Sequence, residues 1–175
     1  MCETDLSEEQ WEEHRAEFKR RRHILQRMAL EARLTGEHHE NFRVGAAMLY
    51  LDAEGNYAMK EGANFKPEPG SKGPRICAEE YVYDLLRYQS SRLVIAIVIA
   101  APPKTDDHTG HTFDGTLPPC IHCRRKFAQS IMLDEPIRRR TWFESMRVDE
   151  SQGEFVVDKI ASASVEDILE RLGSD

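Results

Sequence analysis

The chain lacks features that would assign it to several other classes of protein. Its longest apolar run, from Leu93 to Pro102, is about half of the roughly 20 residues that a membrane-spanning helix needs. Its first residues are charged, so the sequence predicts no secretory signal and no membrane partner. It also lacks a positive net charge, since its formal net charge is −7. Nucleic-acid binding relies on basic surface, so this charge disfavours a nucleic-acid partner.

Cysteine is scarce as well, because the 175 residues contain only four. Three of them lie in two short motifs typical of metal ligands, at residue 77 and at residues 120–123, which argues against a disulfide framework and favours a reducing compartment, so we expect a cytoplasmic protein. A chain of this length can bury a core without crosslinks, and we expect residues 1–175 to form a single domain. Residues 1–21 are highly charged and are expected to form a helical extension of that domain.

Hydrophobic periodicity and turn residues predict the element order α-β-β-α-β-α-β-β-α, which is typical of a layered α/β domain with a mixed sheet. The predicted helices cover residues 7–34, 76–88 and 120–131, followed by a short helix capped by Ser164. The predicted strands cover residues 42–51, 56–63, 93–101, 137–143 and 154–157, and we expect loops at 64–75 and 102–119. The first half of the first helix has Trp11 and Phe18 as its main apolar anchors. We interpret it as an appended turn or a separate helix whose aromatic residues need a partner surface.

Two short motifs carry the chemistry: Cys77-Ala78-Glu79, and Pro119-Cys120-Ile121-His122-Cys123. Together they match the signature of hydrolytic zinc deaminases in its three-cysteine form. Three thiolates leave the fourth position of a zinc ion open for water, whose pKa the metal lowers to about 7. Glu79 lies two residues after a ligand, so its carboxylate can reach that water and transfer protons. The motifs predict Cys77, Cys120 and Cys123 as Zn²⁺ ligands and Glu79 as the catalytic acid and base.

Two other interpretations of these cysteines remain open. A Cys-x-x-Cys pair alone can be a redox motif, although a redox motif does not explain Cys77-Ala78-Glu79. A structural zinc site needs a fourth protein ligand. Cys2 lies near a terminus, whereas His108 and His111 lie in a predicted loop that could supply that ligand.

Several segments resemble the small cytidine deaminases. Residues 42–49, with the sequence Phe-Arg-Val-Gly-Ala-Ala-Met-Leu, look like the first strand of that family, and Gly62-Ala63-Asn64 resembles the Gly-x-Asn after its second strand. Both zinc motifs match, the second including Arg124 after the last cysteine. The resemblance covers about residues 22–132. It implies a three-layer α/β/α fold with a mixed five-stranded sheet, a free nucleoside or nucleobase-like substrate, and a homotetramer.

The resemblance also implies roles for individual residues. The backbone amide of Ala78 is expected to bind the ring carbonyl of the substrate, and the carbonyl of Pro118 is expected to accept from its amine. Phe42 and Asn64 are expected to line the sugar side. His122 lies between two ligands, where it either donates a ring N–H to sulfur and so draws charge away from the metal, or points into solvent. Arg75 and Arg124 are competing donors.

The sequence departs from the family at positions that bear on the substrate. Lys66 stands where the family has a ribose-binding Glu, Glu80 replaces an Arg, and Arg125 replaces a Gln. The loop 102–119 is longer than usual and carries the acidic residues and histidines Asp106, Asp107, His108, His111 and Asp114. Such a loop either covers the site or is surface decoration, and decoration is favoured for its histidines. We therefore expect hydrolytic deamination of a cytosine-containing nucleoside or a related aminated heterocycle. The alternatives are an enzyme similar to the blasticidin-S deaminases and a zinc-stabilised binding module without turnover.

Overall fold

The structure is a computed structural model that describes residues 6–38, 42–70, 73, 75–89, 91–103, 115–149 and 156–173. Its helices are α1 (Glu8–Arg33), α2 (Ala78–Tyr88), α3 (Ile121–Met132) and α4 (Val165–Leu172). Its strands are β1 (Glu37–His38), β2 (Gly45–Leu51), β3 (Tyr57–Ala63), β4 (Phe65–Lys66), β5 (Leu93–Ala101), β6 (Ile137–Asp149) and β7 (Val156–Ser164). The predicted order of elements is confirmed, with the two-residue strands β1 and β4 as additions.

The main sheet has five strands in the order β3-β2-β5-β6-β7. Strands β5 and β6 are parallel, and the other neighbouring pairs are antiparallel, so the predicted mixed sheet is confirmed. Every residue of the central strand β5 is buried, as its continuous apolar sequence predicts for a strand covered on both faces. The short strands β1 and β4 pair in parallel as a separate sheet.

Helices cover both faces of the sheet and create two hydrophobic core clusters. Residues of α1 pack in one cluster, and residues of α2, α3 and α4 pack in the other. The result is the three-layer α/β/α architecture that the resemblance implies. Among the described residues, no helix combines the length and the apolarity needed to cross a lipid bilayer.

Helix α1 is one continuous element of 26 residues, and it begins with a capping box between Ser7 and Gln10. Trp11 and Phe18 are buried in the same core cluster as Leu25, from the second half of the helix. The interpretation of the first half as an appended turn or separate helix is therefore wrong. Both aromatic anchors are covered within the chain itself, so they do not require a partner surface.

A buried acid holds the middle of α1 on the sheet. Glu144 of β6 has no exposed surface, and its two carboxylate oxygens accept from Arg22 Nε and Gln26 Nε2, each at 2.7 Å. A carboxylate can remain charged at such a position only because partners satisfy its oxygens. The sequence does not predict this interaction, because Glu144 lies 122 positions from Arg22 and 118 positions from Gln26.

Helix α1 also approaches the backbone of β2 closely. A Cβ atom at Gly45 would lie 2.0 Å from the carbonyl oxygen of Ala29, so only glycine fits at that point. On the other face of the sheet, a Cβ atom at Gly62 would lie 2.4 Å from Cδ1 of Tyr81 in α2. These two glycines set the spacing of the helical layers where β2 and β3 lead toward the candidate site.

Strands β6 and β7 are longer than predicted. They pair from Trp142 opposite Ser164 to Asp149 opposite Val156, so each extends the other. Strand β7 passes directly into α4, whose N-cap is Ser164 as predicted. Charged residues at the exposed positions of both strands interrupt the apolar pattern, which explains why the sequence predicts shorter elements.

Candidate metal centre and active site

Three thiols meet where helices α2 and α3 begin. Cys77 is the N-cap of α2, Cys120 is the N-cap of α3, and Cys123 lies in the first turn of α3. Their sulfur atoms all lie within 4.8 Å of one another, and those of Cys77 and Cys120 are 3.3 Å apart. The structure therefore brings the three predicted ligands together, although it places Cys77 one position before the helical turn predicted for it.

The spacing of the sulfur atoms suits a tetrahedral metal ion. Three thiolates bound to zinc at about 2.3 Å lie about 3.8 Å from one another in that geometry. Among the residues that the structure describes, no further Cys, His, Asp or Glu joins the group. The group can thus hold a metal with one position left for a non-protein ligand. The proposed alternative ligands, Cys2, His108 and His111, lie outside the described residues.

The thiols differ in how readily they ionise. Hydrogen bonds from the Cys123 and Cys77 thiols lower the pKa of Cys120, and backbone N–H groups of Cys123 and His122 act in the same direction. Donating to Cys120 raises the pKa of both Cys77 and Cys123. Cys120 Sγ also accepts from the backbone N–H of Cys123 at 3.5 Å. Its position at the N-terminus of α3 provides the N–H donors that a thiolate needs.

Glu79 lies beside these thiols and is almost completely buried, with 4% of its surface exposed. Burial raises its pKa to about 8, and the negative charge of Cys120 adds to this effect, while a hydrogen bond with the Cys123 thiol opposes it. A carboxyl group with such a raised pKa accepts and releases protons near neutral pH. This property suits the predicted acid and base.

Asn64 has a structural task in addition to its predicted role. Its Nδ2 donates to the carbonyl of Phe42 at 2.8 Å, and its Oδ1 accepts from the backbone N–H of Val44 at 2.8 Å. The side chain therefore fixes the course of residues 42–44. Phe42 is half-buried and packs against the core cluster that contains Ala78 and Cys123. Pro118 is buried two residues before Cys120.

A cavity of about 540 Å³ lies at the β3 edge of the sheet. Its lining includes Asn64, Phe65 and Tyr81 together with the carboxylates Glu31 and Glu61, but none of the three thiols and not Glu79. Asn64 lines this cavity and also binds the backbone of residues 42–44. The cavity therefore adjoins Phe42, to which the resemblance assigns a role in substrate binding.

His122 contacts Glu80, and this contact differs from the predicted donation to sulfur. Its Nε2 lies 3.2 Å from Oε1 of Glu80, and 60% of its side chain is exposed. Lys126 Nζ lies 2.7 Å from the same oxygen and 3.0 Å from Asp84. Burial opposes ionisation of Glu80, but the hydrogen bonds from Lys126 and His122 outweigh it and lower the pKa of Glu80. The cluster joins α2 to α3, and the spacing of Glu80 and Asp84 on one helical face was its only signal in the sequence.

Two further links around the centre were not predicted. Phe65 and Ile76 exchange two backbone hydrogen bonds of 2.9 Å, which attach β4 to the residue before Cys77. A pairing this short has no hydrophobic period, so the sequence predicts a loop there. Arg124 was expected as a donor to sulfur, but its Nε donates to the carbonyl of Gly173 and one terminal nitrogen to the carbonyl of Pro119, each at 2.8 Å.

Comparison with known proteins gives structural matches only. No family model and no curated protein matches the chain. The structure of cytidine deaminase from Burkholderia pseudomallei matches with a TM-score of 0.56 at 23% identity, over 83% of this chain and 94% of that one. A mutant cytidine deaminase from Mycobacterium tuberculosis matches with a TM-score of 0.50 at 20% identity, over 84% and 93% of the two chains. The chain therefore has the fold of the cytidine deaminases.

Proposed function

We propose that the protein is a zinc-dependent hydrolase that deaminates a cytosine-containing nucleoside or a related aminated heterocycle and releases ammonia. The observation that carries this proposal is the placement of a buried carboxyl, Glu79, beside three convergent thiols. A structural zinc site has no use for a buried, proton-accepting group next to its ligands. A deaminase requires one.

Cys77, Cys120 and Cys123 would hold the zinc ion, which when bound supplies an activated water for attack on the ring carbon that carries the amino group. Glu79 takes a proton from that water and delivers it to the neighbouring ring nitrogen. It then transfers the second proton to the departing amine, so water and substrate become a ring carbonyl and ammonia. The amide of Ala78 and the carbonyl of Pro118 orient the ring during these transfers.

The substrate class rests on the resemblance and on the activity named for the two similar structures. Phe42 and Asn64 line the sugar side of the substrate site, and two hydrogen bonds to the backbone hold the Asn64 side chain in place. Lys66 lies half-buried in β4, in place of the ribose-binding Glu of the family. This replacement favours a modified nucleoside, as in the blasticidin-S deaminases, as the second candidate.

Ammonia release from a panel of amines tests the proposal directly. The zinc-loaded protein would be assayed with cytidine, deoxycytidine, cytosine, blasticidin S, guanine and pterins, and metal-free protein serves as the control. We expect ammonia from at least one cytosine-containing compound and none without zinc. Fully zinc-loaded protein that releases no ammonia from any of them would favour the non-catalytic binding module.

We also propose a homotetramer in the cytoplasm. The resemblance supports the assembly, and the large exposed side chains at the C-terminal ends of α2 and α3, namely Tyr88, Met132 and Leu133, supply apolar surface for it. The three free thiols required for zinc support a reducing compartment. Light scattering at micromolar concentration checks the assembly, and a mass near 20.2 kDa would contradict it.

A further inference from the structure

Arg124 is the largest completely buried side chain in the part of the chain that the structure describes. It directly follows the metal-binding residue Cys123 in the first turn of α3. A guanidinium group is always charged, and removing it from water is costly unless its N–H groups find acceptors. The groups that accept hydrogen bonds from Arg124 therefore identify the segments that it holds in place.

Two of these acceptors are backbone carbonyls, one five residues before Arg124 and the other 49 residues after it. One terminal nitrogen of Arg124 donates to the carbonyl of Pro119, the residue before Cys120, at 2.8 Å. Its Nε donates to the carbonyl of Gly173, at the end of α4, also at 2.8 Å. Gly173 has a φ of 71°, a conformation that glycine adopts readily and that sets the direction of its carbonyl. One planar fork thus spans from the metal-binding turn to the C-terminal helix.

We propose that Arg124 is a positioning residue that holds the Pro119–Cys123 turn in its metal-binding geometry, and that the Gly173 carbonyl holds Arg124 in turn. The C-terminal end of α4 is then part of the support of the metal centre. This inference rests on the zinc site of the proposed function, but it does not depend on turnover. In this arrangement Arg124 donates to the carbonyl of Pro119, the residue before the ligand Cys120.

Arg124→Met, Arg124→Lys and Gly173→Ala test this arrangement. Arg124→Met keeps the apolar stem and removes the fork, whereas Arg124→Lys keeps the charge but cannot reach both carbonyls as a planar fork does. Gly173→Ala keeps every atom of Arg124 and strains only the backbone, because a Cβ atom there meets nothing within 4 Å. Two controls match these changes: Arg125→Met alters an exposed neighbour on α3, and Gly55→Ala strains a glycine with φ of 89° in the β2–β3 turn.

The readouts are zinc affinity by chelator competition and the absorption spectrum of the Co²⁺-substituted protein, with thermal unfolding measured in parallel. We expect Arg124→Met to weaken zinc binding by about 10–100-fold and to change the cobalt spectrum, as loss of a group that orients a ligand does. Arg124→Lys should restore part of the affinity. Gly173→Ala should shift both readouts in the same direction, and the two controls should leave them unchanged.

A folded Arg124→Met protein with wild-type zinc affinity and cobalt spectrum would overturn the proposal. If that variant does not fold, Gly173→Ala decides, and wild-type metal readouts in it would overturn the proposal equally. Neither result bears on whether the protein releases ammonia. An inactive wild-type protein with the expected metal readouts would refute the proposed function and leave the role of Arg124 intact.

Discussion

The sulfur atoms of Cys77 and Cys120 lie 3.3 Å apart, although 43 positions separate the two residues in the sequence. Each is the N-cap of a helix, so two helix N-termini meet at the same point. This meeting of α2 and α3 creates the candidate metal centre. It also places Glu79 within reach of the thiols, because Glu79 lies in the first turn of α2.

We expect purified protein to contain about one zinc ion per chain, bound by three sulfur atoms at about 2.3 Å. The three thiols converge, and no fourth candidate ligand joins them among the described residues. X-ray absorption spectroscopy measures the number and type of ligands. A spectrum that requires four sulfur atoms, or a protein nitrogen in the fourth position, would refute the open coordination site.

Replacing Glu79, the proposed catalytic acid, should separate turnover from metal binding. Glu79→Gln preserves the shape of the side chain but removes its proton-accepting carboxylate. We expect turnover to fall by about 10²–10⁴-fold, which is typical for loss of a general acid or base, while zinc content is unchanged. Steady-state ammonia release and metal analysis check the two quantities.

The matched control for that variant is Glu80→Gln, which changes the next residue of the same helix. The Glu80 carboxylate binds Lys126 and His122 at the α2–α3 junction, so we expect turnover to change far less there. Nearly normal activity in Glu79→Gln would exclude Glu79 as the proton carrier.

His122 should contribute little to the metal centre, because its ring faces Glu80 and most of its side chain is exposed. We expect His122→Ala to leave zinc affinity and the pH–rate profile unchanged, and to lower the free energy of unfolding by less than about 1 kcal/mol. An alkaline shift of the profile without loss of zinc would instead restore the predicted role of His122 as a donor to sulfur.

Acid should destabilise the fold through His14. Its Nδ1 lies 2.9 Å from the Tyr57 hydroxyl, and burial lowers its pKa from the ordinary 6.5, against the opposing charge of Glu13. The unfolded chain therefore takes up a proton at this residue at higher pH than the folded chain does. The stability that neutral His14 contributes is complete above pH 6.5 and is lost as the pH falls from there through the lower folded pKa.

Denaturant unfolding between about pH 8 and pH 5 measures this effect. We expect His14→Gln to make the free energy of unfolding less dependent on pH in this range. His23→Gln, which changes an exposed histidine on the same helix, should retain the wild-type dependence. Equal slopes for wild type and His14→Gln would show that burial of His14 has no such consequence.

The sequence alone predicts that three cysteines and Glu79 lie together and in what order the main elements follow, because short motifs and hydrophobic runs carry these features. Cys77 and Glu79 share one short motif, and Leu93–Ala101 is apolar at every position. The burial of Trp11 was not predictable, because charged residues surround it in the sequence. In the structure the guanidinium of Arg140 lies 5.4 Å from the centre of the Trp11 ring and also pairs with Glu8. Charged side chains therefore help to cover this buried aromatic residue.

The contacts of His122 and Arg124 could not be predicted for a related reason. Both residues adjoin metal ligands, and sequence proximity favours a donation to sulfur for each. The geometry of α3 instead directs His122 toward Glu80 on α2 and Arg124 toward Gly173 after α4. Such directions depend on how helices pack, which a local motif does not encode.

The pairing of Phe65 with Ile76 has a consequence for how the protein ages. Asparagine side chains deamidate when the backbone nitrogen of the next residue attacks the side-chain carbonyl carbon. The N–H of Phe65 is donated to Ile76 at 2.9 Å, and both ends of the Asn64 amide are held by the backbone of residues 42–44. We therefore expect Asn64 to survive prolonged incubation that deamidates the exposed Asn56, as peptide mapping would detect. Hydrolysis at Asn64 would set a carboxylate oxygen against the carbonyl of Phe42, so the pairing of Phe65 with Ile76 protects the conformation of residues 42–44 from chemical damage.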